Sequence, residues 1–354
     1  MKNRWLKETI KYIIILIVAA IIGAILIVIK GEDPIKLAGA TFKLALGSRS
    51  GIASTLRWAS PVIITGLAAA VAFRVRITNI GVEGQLYCAA VVTGILASSI
   101  VGVAPVYVTI IAILGGMVAG ALFALIPAIL LVKWGVNEVL STMMLNYVAV
   151  SGTEYLVKTF FMDSTATVPR LIATKDIIAG SQLPKLMPPY DLNISLIIGV
   201  ILCIIMFLMY RFTKLGYILN TVGGNRRFAR YGGVNIVGMT FLIFIISGAI
   251  GGFAGSAEVL GIHYKFINGF SSGIGWDGML VSLIAKNNPI GIIFSGLFWG
   301  FLKNCGFIVE RISDVNRWTI YVIQAIIVLM VTADFYIRPF FLKRTAKKES
   351  EQSC

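Results

Sequence analysis

Charge is what this sequence lacks most. Only 13% of its 354 residues are charged, 58% are hydrophobic, and the mean hydropathy is +0.89. Soluble domains average about 25% charged residues. The deficit excludes an ordinary water-soluble fold and indicates a chain that lies in lipid.

Histidine and cysteine are also scarce. His263 is the one histidine, and the four cysteines (Cys88, Cys203, Cys305, Cys354) show no C-x-x-C spacing. Such a set predicts neither a metal site nor a disulfide framework. We therefore expect no metal and no cofactor.

Enzyme motifs are missing or out of context. Residues 273–278 fit G-x-G-x-x-G, but no strand precedes them, as a dinucleotide site requires. Residues 269–273 fit G-x-S-x-G, but the nucleophile elbow needs a strand–turn–helix context. The sequence has no G-x-x-x-x-G-K-[ST], so it predicts no ATP binding through a Walker A loop.

Long apolar stretches are what the sequence does have. A membrane-spanning helix needs about 20 mostly apolar residues, and hydrocarbon requires backbone polar groups to be satisfied within the segment. We therefore predict an all-α polytopic membrane protein with about ten transmembrane helices. The predicted spans are residues 12–29, 51–73, 79–101, 104–132, 137–157, 193–210, 238–260, 277–286, 290–308 and 318–335.

The basic residues predict an orientation. With the N-terminus in the cytoplasm, inner segments hold 18 of the 31 Lys and Arg residues and outer segments hold 11. This positive-inside bias favours a membrane-facing role for the +15 charge over nucleic-acid binding. We predict one transmembrane domain, 1–354, with 158–192 outside the cytoplasm and 211–237 and the 338–354 tail within it.

Two glycine-rich segments place a carboxylate at the start of a span. Asn79-Ile-Gly-Val-Glu83-Gly-Gln85 opens the third span, and Gly-Ile-Gly-Trp276-Asp277-Gly opens the eighth. A charged group in lipid costs about 2.5–3.5 kcal/mol, so it usually faces protein, water or cargo. Because the two spans run in opposite directions, we predict an inverted repeat of spans 2–5 and 7–10, with the site near the midplane.

The candidate path residues each have two interpretations. Asn79, Glu83 and Gln85 either pin an unwound helix start by hydrogen bonds or line the translocation path. Trp276 and Asp277 either pack internally or stack on and hydrogen-bond a planar ligand. A third polar set, which opens the fifth span, either bonds neighbouring helices or forms a cavity wall: Asn137, Glu138 and Asn146.

The predicted inner loop and the glycine spacings concern contacts between helices. Residues 213–234 predict a short helix between glycine breaks, which either docks on another protein or is a solvated basic loop. GxxxG spacings predict tight packing inside the chain rather than a dimer seam. They are formed by Gly116 with Gly120, Gly248 with Gly252, Gly251 with Gly255, and Gly296 with Gly300.

Taken in order, the 79–85, 137–147, 223–233 and 275–291 segments resemble permease subunits of bacterial ABC importers. Within that superfamily they look most similar to nucleoside permeases served by basic-membrane-lipoprotein receptors. The resemblance implies the ten-helix type II importer fold in a bacterial plasma membrane. It also implies three partners: an ATPase subunit, a second homologous permease and an extracytoplasmic binding lipoprotein.

The resemblance assigns the inner loop to ATPase coupling. Where relatives often have small residues, this chain has Arg227 and Phe228. The residues implied to lie in the coupling helix, with two arginines beside them, are Gly223, Asn225, Arg226, Ala229, Arg230 and Gly233.

Two alternatives stay open at this point. The same machinery would also serve a simple sugar. A secondary transporter driven by protons or sodium would instead use Glu83, Glu258 and Asp277 as coupling carboxylates.

Overall fold

The computed structural model describes residue 18, residues 20–163, residues 172–316, residue 318 and residues 321–326. Those residues form helices and two isolated bridges but no strand, which confirms the all-α prediction. The helices are α1 Ala20–Ile29, α2 Pro34–Leu46, α3 Arg49–Arg74, α4 Val82–Ser99, α5 Pro105–Trp134, α6 Glu138–Leu156, α7 Ser195–Phe212, α8 Lys214–Gly224, α9 Arg226–Tyr231, α10 Ile236–Glu258, α11 Ile274–Ile284 and α12 Pro289–Ile312.

Five helices are long and apolar enough to cross a membrane, which supports a multi-pass protein: α3, α5, α7, α10 with its extension to His263, and α12. Helices α1 and α11 are apolar but shorter, and α4 and α6 occupy the predicted third and fifth spans. The count of ten stays a prediction. Most of the tenth span, residues 12–17 and 19 of the first, and the 338–354 tail lie outside the described residues.

The chain divides into two compact units, 1–52 with 301–354, and 53–300. In the first unit, a small apolar cluster is formed by Leu37, Val309 and Val315. The buried Asn304 amide donates to the Gly51 carbonyl at 3.1 Å.

Glycines bring α5 and α10 into backbone contact in the second unit. A Cβ atom at Gly120 would lie 2.9 Å from the Gly252 Cα, and one at Gly252 would lie 2.6 Å from the Gly116 carbonyl oxygen. Without Cβ atoms the two backbones approach closely. The prediction that these GxxxG spacings pack inside the chain is confirmed.

Two helices end in wide turns, and two short helices form the predicted inner loop. The chain continues from α6 into a π-helical turn at Val157–Phe161 and from α10 into another at Val259–His263. In the inner loop, α9 lies between Gly224 and Gly232, where the sequence predicts a short helix.

Candidate functional site

The N-terminal turns of α4 and α11 meet in the second unit. The Glu83 side chain, in the first turn of α4, is buried at 6% exposure. Its Oε2 accepts from the Gly275 backbone N–H at 2.6 Å, and its Oε1 accepts from the Ser271 hydroxyl at 2.6 Å. The two segments that the sequence relates by pattern are therefore in direct contact.

Glycine makes this approach possible. A Cβ atom at Gly275 would lie 2.6 Å from the Glu83 nitrogen and 2.7 Å from its Cα. The first amides of a helix lack partners within the helix and carry partial positive charge. The Glu83 carboxylate supplies an acceptor and a negative charge to α11 at that point, which favours its structural interpretation.

Asn79 and Gln85 belong to a hydrogen-bonded chain that runs to α10 and α3. The Gln85 amide donates to Asn79 Oδ1 at 3.4 Å, and Asn79 Nδ2 donates to the Ser247 hydroxyl at 2.9 Å. Ser247 in turn donates to the Ala68 carbonyl at 2.7 Å. Asn79 is fully buried, so its polar groups hold three elements together.

Helix α6 fixes the turn before α4. Asn146 accepts from the Gly84 N–H and donates to the Ile80 carbonyl, both at 2.9 Å. Thr142 accepts from the Ile80 N–H at 3.2 Å. Of the two interpretations of this polar set, hydrogen bonding between elements describes Asn146.

Asn137 and Glu138 lie at the other end of the polar stretch. The exposed Asn137 caps α6 by accepting from the Val139 and Leu140 amides at 2.9 and 3.2 Å. Nine residues of helix separate it from Asn146, a rise of about 13 Å. Asn137 and Asn146 therefore do not both lie at the α4–α11 junction, where the N-terminal turns of these two helices meet.

Trp276 and Asp277 lie in the first turn of α11 and are both half-buried. On another side of the same helix, Gly278 packs against α3, where a Cβ atom would lie 2.6 Å from the Gly66 nitrogen. Thr65 of α3 also donates to the Ile274 carbonyl at 3.1 Å. Trp276 and Asp277 are therefore the predicted path residues at this junction that are not buried.

The sequence did not predict that Arg57, Glu258 and His263 lie together in one cluster. Arg57 and His263 each lie near Glu258 Oε2, at 3.7 and 3.6 Å. The His263 ring also packs edge-on against Phe270, with 5.7 Å between centroids. The available signal was that Arg57 and Glu258 both fall at the predicted outer ends of apolar spans.

The predicted coupling residues are gathered on α8 and α9, with distinct local roles. Asn225 caps α9 by accepting from the Arg227 and Phe228 amides at 3.0 and 3.1 Å. Ala229 is buried, and Gly233 has a φ of +80° that favours glycine.

Exposed arginines and aromatic rings surround this cap. Phe228 is 65% and Tyr231 92% exposed, and the Arg226 and Arg230 side chains are exposed beside them. Gly223 packs against the last carbonyl of α3, where a side chain would clash. An exposed face of arginines and rings on a short helix has the chemistry of a protein-docking surface.

Several known proteins are similar to this chain over nearly its whole length. The chain is 30% identical to the nucleoside ABC transporter permease protein NupB of Lactococcus lactis subsp. cremoris, over 99% of this chain and 97% of that protein. It is 29% identical to the guanosine ABC transporter permease protein NupP of Bacillus subtilis, over 95% and 96%. It is 28% identical to the glucose ABC transporter permease protein TsgB13 of Haloferax volcanii, over 92% and 88%.

A family model described as the permease component of the branched-chain amino acid transport system matches residues 51–332. That range includes both helix starts of the junction and the whole α8–α9 segment. Because the match covers well over half of the sequence, the protein belongs to this family of ABC transporter permeases, the non-enzymatic, multi-pass membrane subunits of their transporters.

Proposed function

We propose that this protein forms the translocation path of a bacterial ABC importer for nucleosides, with purine nucleosides as the preferred cargo. The observation that carries the proposal is the near full-length similarity to NupB and NupP, at 30% and 29% identity. The family's own description names branched-chain amino acids, so it does not decide the cargo. A half-buried indole beside a carboxylate, as in Trp276 and Asp277, suits a planar base that carries hydrogen-bonding groups.

Within the predicted path residues, we propose a division of roles. Glu83, Asn79, Gln85 and Asn146 hold the α4–α11 junction, since their side chains bond neighbouring backbone and side-chain groups. Trp276 and Asp277 face the cargo. Asn137 and Glu138 belong to the end of α6 that begins the fifth span.

The assembly follows from the same proposal. An ATPase subunit binds the α8–α9 face, a second homologous permease completes the path, and an extracytoplasmic lipoprotein delivers the nucleoside. Both termini lie in the cytoplasm. Hydrolysis on the ATPase then moves α9 and changes which side of the membrane the path opens to.

Uptake into proteoliposomes tests this function. The permease, the ATPase and the second permease are reconstituted with internal ATP, and labelled guanosine, ribose and glucose are offered with the receptor. We expect ATP-dependent guanosine uptake that unlabelled adenosine competes away and glucose does not. Uptake that needs an ion gradient and no ATP would overturn the importer function.

A simple sugar is the second candidate cargo, because TsgB13 is named as a glucose permease and is 28% identical over 92% of this chain. The same experiment separates the two cargoes. Glucose uptake that guanosine does not inhibit would replace the nucleoside by a sugar and leave the importer mechanism in place.

A further inference from the structure

Arg74, the last residue of α3, connects four parts of the second unit. Its Nε donates to Asn220 Oδ1 of α8 at 2.9 Å, and its guanidinium lies 4.3 Å from the centre of the Tyr210 ring of α7. A second nitrogen donates to the Asn287 carbonyl, in the turn between α11 and α12, at 3.4 Å. Arginine suits this position because its planar group offers donors at its edge and stacks on rings through its face.

The carbonyl that Arg74 binds belongs to a turn tightly attached to α11. Asn287 has a φ of +57°, and its backbone N–H donates to the Ser282 carbonyl of α11 at 2.9 Å. The Ser282 hydroxyl also donates to Asn287 Oδ1 at 2.9 Å. Arg74 therefore binds a turn that is itself fixed to the C-terminal end of α11.

The α8–α9 segment is attached to the same end of α3. Arg226 donates to the Arg76 carbonyl at 3.1 Å, just beyond the end of that helix. Asn220 also donates to the Tyr210 carbonyl at 3.2 Å, which ties α8 to α7 beside Arg74. Direct polar contacts therefore join the α8–α9 segment to the end of α3.

Helix α3 also holds the opposite end of α11. Thr65 donates to the Ile274 carbonyl at 3.1 Å, and Gly278 packs against the Thr65 and Gly66 backbone region. The same turn of α11 carries Trp276 and Asp277 and meets Glu83 of α4. A continuous set of contacts thus leads from the coupling segment, through Arg74 and α3, to the α4–α11 junction.

We propose that Arg74 is the positioning residue that transmits movement of the α8–α9 segment to α11, and so links ATP hydrolysis to opening of the path. The inference rests on the proposed importer function. Spatial continuity alone does not demonstrate energetic coupling, so the test measures coupling directly.

The variants are Arg74→Lys, Asn220→Ala, their combination, and Arg211→Lys as a matched control on an exposed arginine at the end of α7. Each is assembled with its ATPase, second permease and receptor, and ATP hydrolysis and guanosine uptake are measured on the same preparation. We expect Arg74→Lys and Asn220→Ala to lower the guanosine imported per ATP hydrolysed by about threefold to thirtyfold. The loss in the combined variant should be smaller than the sum of the two single losses, because both single variants break the shared Arg74–Asn220 contact.

A second readout does not depend on cargo. An environment-sensitive fluorophore at Ser272→Cys, an exposed position just before α11, should change its emission on ATP addition in the wild-type assembly and in Arg211→Lys. The change should be lost in Arg74→Lys and Asn220→Ala. If Arg74→Lys does not assemble, Asn220→Ala decides, since it leaves the arginine in place.

The outcomes separate the two proposals. A wild-type assembly that hydrolyses ATP and shows the fluorescence change, but imports no guanosine, refutes the nucleoside cargo and leaves the Arg74 test readable. Wild-type coupling ratios and emission changes in both single variants would overturn the role of Arg74. Fully additive losses in the combined variant would overturn it too, because they would mean that the two residues act separately.

Discussion

Glu83 illustrates how a backbone amide and a serine hydroxyl accommodate a carboxylate in an apolar helix. Its two oxygens take a serine hydroxyl and the Gly275 amide at 2.6 Å each, at the positive end of α11. Bonds to a charged acceptor are worth about 1.5–3 kcal/mol, more than those between neutral groups. The cost of burying Glu83 is thus offset by stabilising a helix start in a different part of the chain.

The first prediction concerns the charge of that residue. Glu83→Gln keeps the side-chain shape but loses the charge-assisted bonds, so we expect the free energy of unfolding to fall by about 1–2 kcal/mol. ATP-driven uptake should persist, because the residue serves to position α11. Thermal unfolding in detergent and uptake in proteoliposomes measure the two effects.

The comparison variant is Glu83→Ala, which leaves the buried Gly275 amide without its acceptor and should cost about 3 kcal/mol. A Glu83→Gln protein with unchanged stability and abolished uptake would mean instead that the carboxylate takes part in transport.

The sequence predicted that Glu83 is a carboxylate at the start of an apolar helix, but it did not predict which groups Glu83 binds. Its type and its glycine neighbours indicated a buried carboxylate at a helix start. Its partners, Ser271 and Gly275, lie 188 and 192 residues further along the chain. A pairing over such a separation depends on how α4 and α11 pack, and neither periodicity nor spacing reports that.

At the scale of elements, the glycine faces of α5 and α10 were predicted from spacing alone, because GxxxG places the two glycines of each helix on one side of it. The π-helical turns that end α6 and α10 were not predicted. Each inserts a wider turn at the end of an apolar helix, and neither Lys158 in the first turn nor His263 in the second signals that geometry.

The second prediction compares two glycines of α5. Gly120→Ala places a methyl group against the α10 backbone, 2.9 Å from the Gly252 Cα, so the helices must separate. We expect a loss of about 3 kcal/mol, the upper end of what overpacking costs. Gly115→Ala is the control, because its new methyl group meets the movable tip of Leu96 rather than backbone. Equal melting temperatures for the two variants would refute backbone contact at this seam.

The third prediction concerns α9, a helix of only six residues. Its start depends on the Asn225 side chain, and loss of such a cap costs about 1 kcal/mol. We expect Asn225→Ala to weaken binding of the ATPase subunit, measured as the fraction that co-purifies with the tagged permease. Asn225→Ser should retain it, since serine also caps helices. Loss of binding in both variants would assign Asn225 a direct contact with the ATPase instead.

At the scale of the whole molecule, the orientation in the membrane determines whether the α8–α9 segment can reach an ATPase in the cytoplasm. The inner excess of basic residues predicts that 211–237 lies in the cytoplasm. The predicted offset of five spans between the segments around Glu83 and Asp277 predicts that these segments start from opposite sides of the membrane. If α4 and α11 enter from opposite sides as predicted, their contact at Glu83 lies within the membrane. We therefore expect the junction at Glu83 to lie near the midplane and α8–α9 to lie on the ATPase side.

The fourth prediction tests that orientation in intact cells. Lys175→Cys and Tyr231→Cys place a thiol at exposed positions in the two hydrophilic stretches, 158–192 and 211–237. A membrane-impermeant maleimide should label the first in whole cells and the second only after permeabilisation, with the native cysteines replaced by serine. The reversed pattern would put α9 outside, away from any ATPase, and the coupling role of Arg74 would fall with it. Labelling of both positions in whole cells would mean that residues 175 and 231 lie on the same side of the membrane. An even number of spans, or none, would then separate them, instead of the one span that is predicted. The predicted opposite orientation of α4 and α11, and with it the inverted repeat, would be wrong.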